Sequence, residues 1–409
     1  MNTESTMIQS HRQSFNQQFT DRAYQDFLAQ VSSNAPGCLD FRIAETPVFV
    51  PVALRDKMLD TCEAILDLIT DPEFKEYTEN SIPPQYRMPG ESERPEMLVF
   101  DFGVCRDAQG VIQPQLIEMQ GFPSMYGHQL LLDECFRAHF SIPENVTPYL
   151  NGYTKETTVA LLRDMIIGTH HPGEVILLDV YPEKQKTRID FYLLSEMLGI
   201  PIVCVTDIRA EGNKLTYLKN GTAYPIARIF NRMIFDDLEQ HGLSTILDWK
   251  KRYAVEWIPH PQWFYRISKY TMPFLHHPHV PDTFFLNAVK QPLDLTQYVL
   301  KPLFSFAGQG VIIDVTPNDI ASIPNPENWI LQRKVHYAPI VQTPDEPAVT
   351  EIRLFYFWKK EWSRPKAVYN LARLSKGKMV GTRYNQDKTW VGGTLAYFEK
   401  SAHQALNQL

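Results

Sequence analysis

Hydrophobic and polar residues follow different patterns in different parts of the chain. In residues 53–69, ALRDKMLDTCEAILDLI, apolar side chains recur at helical spacing, and residues 1–90 are predicted to be mainly helical. After about residue 172, the apolar run EVILLDV, the helical segment DFYLLSEMLG and the run PIVCVTD follow one another. This strand–helix–strand order indicates parallel β-structure of Rossmann-like type.

Two further regions are predicted to be rich in strands. Residues 97–120 contain MLVFDFGV and PQLIEMQ on either side of a turn-rich connector, which is typical of a β-hairpin. From about residue 295, strand-like runs recur at short intervals and indicate a mainly antiparallel α+β region: YVLKPLFSF, GVIIDV, WILQRKV, EIRLFYFW and PKAVYNLARLS.

Composition and charge exclude several classes of partner and location. The 409 residues carry a net charge of −7 and no long basic run, so we expect no nucleic-acid partner. No apolar run approaches the ~18–20 residues of a transmembrane helix, and the polar N-terminus lacks a signal-peptide core, so we expect no membrane partner. The five cysteines are scattered and form no CxxC spacing, which favours reduced thiols and a cytoplasmic protein.

The predicted hairpin has acidic residues on both arms. Asp101 lies on the first strand, and Glu118 and Gln120 lie on the second. Because positions i and i+2 of a strand share a face, Glu118 and Gln120 can converge on one ion, with Asp101 joining from the neighbouring strand. Carboxylate and amide oxygens suit Mg²⁺. The pattern therefore predicts a metal site, although a structural role for the acids stays open.

Residues 298–313, YVLKPLFSFAGQGVII, contain the elements of a phosphate-binding loop. A strand delivers Lys301, and a loop with Ser305, Gly308 and Gly310 follows. Small residues let backbone N–H groups approach phosphates, and a lysine adds a positive charge. The segment contains no GKS/T and is not a Walker A loop, so an ordinary β-turn is the alternative interpretation.

Two more segments carry candidate binding groups. WILQRKV, residues 329–335, is a strand that leads into an irregular segment and could read an adenine edge through its backbone; otherwise it is a plain strand. Arg353 and Arg373 lie on adjacent predicted strands among apolar residues, and two converging arginines suit a phosphate or acyl phosphate. A solvated strand face is the alternative for both arginines.

Together these motifs resemble the ATP-grasp superfamily. K-P-x-x-S-F-x-G-x-G-V, LQRKV, EIR and R-x₁₁-N-x₆-GG occur in the family's order between residues 301 and 393. The expected magnesium hairpin does not follow them but stands at 101–120 as D…IEMQGFPS. Over about residues 95–395 the chain is therefore similar to a circularly permuted ATP-grasp protein of the glutathionylspermidine-synthase-like carboxylate–amine ligases.

The resemblance implies a fold of the α/β and α+β classes, with two α+β lobes that hold ATP. It divides the chain into a helical N-terminal region plus the metal-binding half of the core (1–150), a Rossmann-like pre-ATP-grasp domain (151–255), and the lid lobe with the remaining core (256–409). It places the metal on Asp101, Glu118 and Gln120 and assigns the catalytic role to Arg353 and Arg373. The ATP-binding residues that it implies are Lys269 (or Lys290), Lys301, Ser305, Gly308, Gly310, Gln332, Lys334, Val335 and Asn385.

The implied function is an ATP- and Mg²⁺-dependent ligase that joins a small-molecule or peptide carboxylate to an amine through an acyl phosphate. A homodimer is consistent with the family. Two rival interpretations remain: a phosphoryl transferase on the same fold, and a nucleotide-binding protein without catalysis. The second is kept open by Gln120, where the family has asparagine, and by Arg333, where it often has an acid. Residues 181–188, Asn231 and Arg232 are candidates for the substrate site, because ligands of open α/β sheets bind beyond the strands' carboxyl ends.

Overall fold

A computed structural model describes residues 7–289, 293–304, 309–380 and 385–400. The helices of these residues are α1 (Gln9–Gln18), α2 (Asp21–Asn34), α3 (Val52–Ile69), α4 (Phe74–Tyr77), α5 (His128–His139), α6 (Lys155–Ile166), α7 (Arg188–Leu198), α8 (Phe235–Gln240), α9 (Trp263–Arg266) and α10 (Pro317–Ala321). None of these helices is long and apolar enough to cross a membrane.

The strands of the same residues are β1 (Val48–Val50), β2 (Met97–Arg106), β3 (Ile112–Gln120), β4 (Val146–Thr147), β5 (Val175–Asp179), β6 (Ile202–Cys204), β7 (Ile208–Glu211), β8 (Lys214–Lys219), β9 (Thr222–Pro225), β10 (Arg228–Asn231), β11 (Glu256–Ile258), β12 (Thr283–Phe285), β13 (Tyr298–Pro302), β14 (Trp329–Arg333), β15 (Val349–Phe357), β16 (Lys366–Ser375), β17 (Gly392–Thr394) and β18 (Ala396–Glu399).

A five-stranded antiparallel sheet forms the centre of the molecule. Its strand order is β17-β16-β15-β2-β3, so the predicted hairpin of β2 and β3 lies directly beside the strands that follow residue 349. Side chains alternate across the sheet: Phe100 packs in one hydrophobic cluster, which includes α3, and Val99 packs in another, which includes α6 and α7. Both faces are covered, which explains why β2 is almost wholly apolar.

The predicted Rossmann-like unit is a four-stranded parallel sheet of order β11-β10-β5-β6. Helix α7 connects β5 to β6 and ends at Gly199, whose positive φ of 73° suits a residue without a side chain. The buried Asp190 of α7 accepts hydrogen bonds from three successive backbone N–H groups, those of Tyr126, Gly127 and His128. This contact fixes the start of α5 against the parallel sheet.

Three small sheets complete the described fold, with orders β12-β14-β13, β7-β8-β9 and β1-β18-β4. One predicted strand is wrong: GVIIDV forms only an isolated bridge, between Ile312 and Leu300. Gly310, with a φ of 75°, lies in a turn just before this bridge, and the run pairs at one position instead of continuing a ladder. The boundaries proposed for the three domains stay a prediction.

Candidate active site

The site is built around a buried ion pair between neighbouring strands. The register of β2 and β15 places Arg353 opposite Asp101, and the guanidinium donates two hydrogen bonds of 2.7 Å to the two carboxylate oxygens. Arg373, from β16, donates a third hydrogen bond of 2.9 Å to Asp101 Oδ2. Burial disfavours the charged carboxylate, but the two arginines outweigh burial and lower the pKa of Asp101.

A second carboxylate, which the sequence analysis did not single out, belongs to the same network. Glu351 pairs with Arg373 in the ladder of β15 and β16, and Arg373 Nη2 lies 3.1 Å from its Oε2. Tyr337 donates its hydroxyl hydrogen to Glu351 Oε1. Gly103 makes room for this tyrosine, because a Cβ at position 103 would lie 2.7 Å from the ring. The signal was present in the motif EIR, where the acid stands two residues before Arg353 on the same strand face.

Two lysines approach the network from outside the central sheet. Lys301 on β13 donates a hydrogen bond to Gln332 Oε1 on β14, and its Nζ lies 3.4 Å from the backbone oxygen of Ile117. Burial lowers the pKa of Lys301 to about 8, against the opposing effect of Glu118. Burial also lowers the pKa of Lys269, again with Glu118 as the opposing charge. Both lysines therefore lie close enough to Glu118 to interact with its carboxylate.

We call Lys269, Lys301, Arg353 and Arg373 the cationic cluster. It faces three carboxylates, those of Asp101, Glu118 and Glu351. Within the described part of the chain, Arg373 Nε and Gln332 Nε2 are buried and have no hydrogen-bond partner. Buried donors without acceptors are costly, and the oxygens of a bound polyphosphate would satisfy them. The cluster therefore combines four cationic side chains with one donor, Arg373 Nε, that lacks an acceptor among the described residues.

The predicted metal ligands have unequal access to a cation. The Glu118 side chain is 26% exposed, and Gln120 Nε2 donates to Glu118 Oε1 at 2.8 Å. Both oxygens of Asp101 are bound by arginines, so it would ligate a metal only after an arginine moves away. In residues 7–289, 293–304, 309–380 and 385–400, no three His, Cys, Asp or Glu side chains form a metal-binding group. Glu118 and Gln120 suit a cation that also contacts phosphate oxygens.

Of the other predicted ATP-binding residues, Lys334 and Val335 follow β14, and Asn385 follows β16. Lys334 lies 3.7 Å from Asp314, and Val335 is half-buried in the irregular segment that follows β14. The amide oxygen of Asn385 accepts hydrogen bonds from the backbone of Lys376 and Gly377, at 2.9 and 3.2 Å, and closes the turn after β16. Gly310 occupies a turn. Three predicted residues lie outside the described residues: Lys290, Ser305 and Gly308.

A cavity of about 230 Å³ adjoins Glu118 and Gln120, two of the predicted metal ligands. Glu118, Gln120 and Lys269 line one part of it. The other part is lined by the parallel sheet and the segments that follow its strands, through Asp179, Gln185, Thr187, Arg232 and Asp237.

Two candidate substrate segments, residues 181–188 and Arg232, thus reach one cavity. Asn231 instead hydrogen-bonds with the backbone of Met233 and has a structural role. Asp179 and Asp237 had not been predicted. Asp179 was recognisable as the last residue of a parallel strand, the edge where such sheets bind ligands.

Comparison with known proteins identifies a structural relative but no sequence family. The fold matches the solved structure of a glutathione synthetase-like effector from Globodera pallida in its apo form, with a TM-score of 0.57 and 11% identity. The match covers 94% of this chain and 98% of the other. No protein-family model and no curated protein matches the chain. The mixed α/β fold is thus shared with a glutathione synthetase-like protein and is consistent with an ATP-grasp-like architecture.

Proposed function

We propose that this protein is an ATP- and Mg²⁺-dependent ligase that joins a carboxylate to an amine. The observation that carries the proposal is the cationic cluster, with unsatisfied buried donors on Arg373 and on the neighbouring Gln332, beside a cavity that contains both acidic and basic side chains. The structural likeness to a glutathione synthetase-like protein supports the same class. The cluster would hold the nucleotide phosphates, and the cavity would hold a second reactant next to them.

Each residue of the cluster has a distinct task in this proposal. Lys269 and Lys301 neutralise the phosphates, and Arg353 and Arg373 leave Asp101 to bind the transferring phosphoryl group. Asp101, once released, would be a ligand of Mg²⁺ together with Glu118 and Gln120, and the ion would offset the charge of the phosphates. A substrate carboxylate oxygen would attack the γ-phosphorus of ATP, giving an acyl phosphate and releasing ADP. An amine nitrogen would then attack the acyl carbon, release inorganic phosphate and lose a proton to give the amide.

The surroundings of the cavity suit a reactive acyl phosphate. Four aromatic side chains line it together with the polar groups: Phe122, Phe191, Phe264 and Phe304. In this proposal their apolar surfaces would limit the access of water to such an intermediate. No protein nucleophile is required, because positioning and charge stabilisation perform the catalysis.

Trapping with hydroxylamine tests the proposal without knowledge of the natural amine. The protein is incubated with Mg·ATP, hydroxylamine and pools of carboxylic acids, and ADP, phosphate and hydroxamate are measured. We expect all three products from at least one pool, and none when Glu118→Gln replaces the wild type. A stable phosphorylated product would instead indicate a phosphoryl transferase. Absence of Mg·ADP binding by calorimetry would rule out both enzymes.

A further inference from the structure

Glu351 is a buried carboxylate to which the proposed reaction gives no task. Its residue is 6% exposed. Arg373 Nη2 lies 3.1 Å from its Oε2, and the hydroxyl of Tyr337 donates to its Oε1. Burial raises the pKa of Glu351, and the guanidinium of Arg373 offsets part of that rise. Asp101 and Glu351 thus flank one arginine, although a single acid would neutralise its charge.

The central sheet sets the position of Glu351 relative to Arg373. The two residues are direct partners in the antiparallel ladder of β15 and β16. Side chains of directly opposite residues in such a ladder lie on the same face and interact. The spacing of this pair is therefore fixed by the backbone and does not depend on a bound ligand.

Tyr337 holds Glu351 from another element. The backbone groups on either side of the tyrosine, those of His336 and Ala338, hydrogen-bond with β2 at 2.8 and 2.9 Å. The ring packs directly on Gly103, where a Cβ would lie 2.7 Å from it. Burial and the carboxylate of Glu351 raise the pKa of Tyr337, so its hydroxyl keeps its proton and donates it.

The two arginines of the site differ in what holds them. Arg353 donates to Asp101 through both Nε and Nη2, and its Nη2 lies 3.9 Å from Glu118 Oε1. Arg373 Nη2 is shared between Asp101 Oδ2, at 2.9 Å, and Glu351 Oε2, at 3.1 Å. When Asp101 turns to the metal, Arg353 loses its two hydrogen bonds of 2.7 Å, whereas Arg373 keeps its contact with Glu351. The buried Nε of Arg373, which has no partner among the described residues, stays available to a phosphoryl oxygen.

Resting on the proposed ligase function, we propose that Glu351 is a positioning residue for Arg373. Backed by Tyr337, it keeps the guanidinium in place for the transferring phosphoryl group once Asp101 has turned to the metal. A free arginine side chain would lose conformational entropy when it binds this group, and an arginine already held by a carboxylate has less to lose. Donors that are fixed in advance stabilise developing charge without reorganisation.

Two other roles for Glu351 predict different behaviour. A purely structural acid would stabilise the fold, and its loss would not single out one ligand. A metal ligand would be needed for the gain in ADP affinity that Mg²⁺ gives. A positioning acid matters only where Arg373 acts, which is the transferring phosphoryl group and not bound ADP.

Aluminium fluoride separates these roles, because together with ADP it takes the place of the transferring phosphoryl group. The affinity of the full chain for Mg·ADP is measured by calorimetry with and without aluminium fluoride, and the ratio of the two affinities is the fluoride gain. We expect Glu351→Gln to bind Mg·ADP with nearly the wild-type affinity and to lose at least about tenfold of the fluoride gain, as when a preorganised donor is displaced. Tyr337→Phe should lose about two- to tenfold, the value of one hydrogen bond.

Glu91→Gln is the matched control. Glu91 pairs with the buried Arg266 outside the cationic cluster, so this variant also breaks a carboxylate–arginine pair but should keep the full fluoride gain. Where Glu351→Gln does not fold, Tyr337→Phe gives the answer, because it removes a single hydroxyl.

A double variant tests whether Glu351 acts only through Arg373. The fluoride gain of Arg373→Met is compared with that of Arg373→Met combined with Glu351→Gln. We expect equal gains, because the acid has nothing left to position. A further loss in the double variant would contradict the proposal.

Kinetics and the wild type complete the test. In the hydroxylamine assay, Glu351→Gln should lower kcat and leave the KM for ATP nearly unchanged. A fluoride gain that Glu351→Gln keeps in full, an equal loss in Glu91→Gln, or a loss of the response to Mg²⁺ would overturn the positioning role and leave the ligase function standing. A wild type that binds Mg·ADP without any fluoride gain would overturn the role of Arg373 and with it that of Glu351. A wild type that binds no Mg·ADP would reject the ligase function itself.

Discussion

Arg353 and Asp101 are 252 residues apart in the chain and lie directly opposite each other in the central sheet, joined by two hydrogen bonds of 2.7 Å. Both side chains are buried, and Arg373 binds the same carboxylate from the next strand. A residue predicted to bind metal therefore holds the two arginines predicted to bind phosphate. In the proposed function, the two arginines leave this carboxylate to bind phosphate.

Asp101→Asn should destabilise the fold strongly. Among the described residues, Asp101 is the only carboxylate that accepts hydrogen bonds from both Arg353 and Arg373, and the substitution removes its charge. Breaking a buried ion pair costs about 3–5 kcal/mol. The free energy of unfolding is measured by urea titration. Asp67→Asn is the control, because its pair with Arg364 is exposed, and it should change stability by less than about 1 kcal/mol. Equal effects of the two substitutions would contradict the assigned importance of the buried pair.

Glu118→Gln should separate metal binding from folding. The side chain is partly exposed and its nearest arginine atom is 3.9 Å away, but its charge also offsets the burial of Lys269 and Lys301, so we expect a loss of stability smaller than that of Asp101→Asn. The gain in ADP affinity on adding Mg²⁺ should fall at least about tenfold, as it does when even an outer-shell partner is lost. Calorimetry with Mg²⁺ and with EDTA measures this gain. Glu196→Gln is the control, because Glu196 is exposed on α7, and this variant should keep the full gain in ADP affinity on adding Mg²⁺. An undiminished gain in the Glu118→Gln variant would reject Glu118 as a metal ligand.

The affinity for ADP should decrease as the pH rises above about 8. Lys301 has its pKa lowered to about 8 by burial, so it is protonated below that pH and loses the charge that binds phosphate above it. The loss should approach about tenfold per pH unit if this charge is essential. In the Lys301→Arg variant the arginine stays protonated, so the affinity for ADP should decrease less steeply with pH. The decrease that persists in this variant would come from Lys269, whose pKa is also lowered. A wild-type affinity that stays constant to pH 10 would refute this role.

Gly392→Ala should destabilise the protein for steric reasons alone. Gly392 has a φ of 127°, and a Cβ there would lie 2.4 Å from the backbone oxygen of Arg42, which cannot move aside cheaply. We expect a loss of about 3 kcal/mol or more in the free energy of unfolding, measured by urea titration. Gly212→Ala is the control: its φ is also positive, at 59°, but nothing lies near its Cβ position, so about 1–2 kcal/mol is expected. Equal losses would remove the steric explanation for the GG motif.

Much of the fold follows from local patterns in the chain. The alternation of MLVFDFGV and PQLIEMQ predicted the hairpin, which the structure confirms as β2 and β3, with Asp101 opposite Glu118. The strand–helix–strand pattern predicted the parallel pair β5 and β6. The strand GVIIDV was predicted wrongly, because an apolar run becomes a strand only where a neighbour pairs along its length, and here Ile312 alone finds one.

The composition of the site depends on distant contacts that no local pattern encodes. The register of the β2–β3 hairpin is set by its short connector and by the hydrophobic alternation of its two strands. Both features lie in one continuous stretch of sequence. The register of β15 on β2 instead follows from packing both faces of the central sheet, and it decides that Arg353 meets Asp101 and that Glu351 and Tyr337 join them. The cavity likewise arises where separate segments meet, so only the folded chain shows that Asp179 and Arg232 line the same cavity as Glu118 and Gln120.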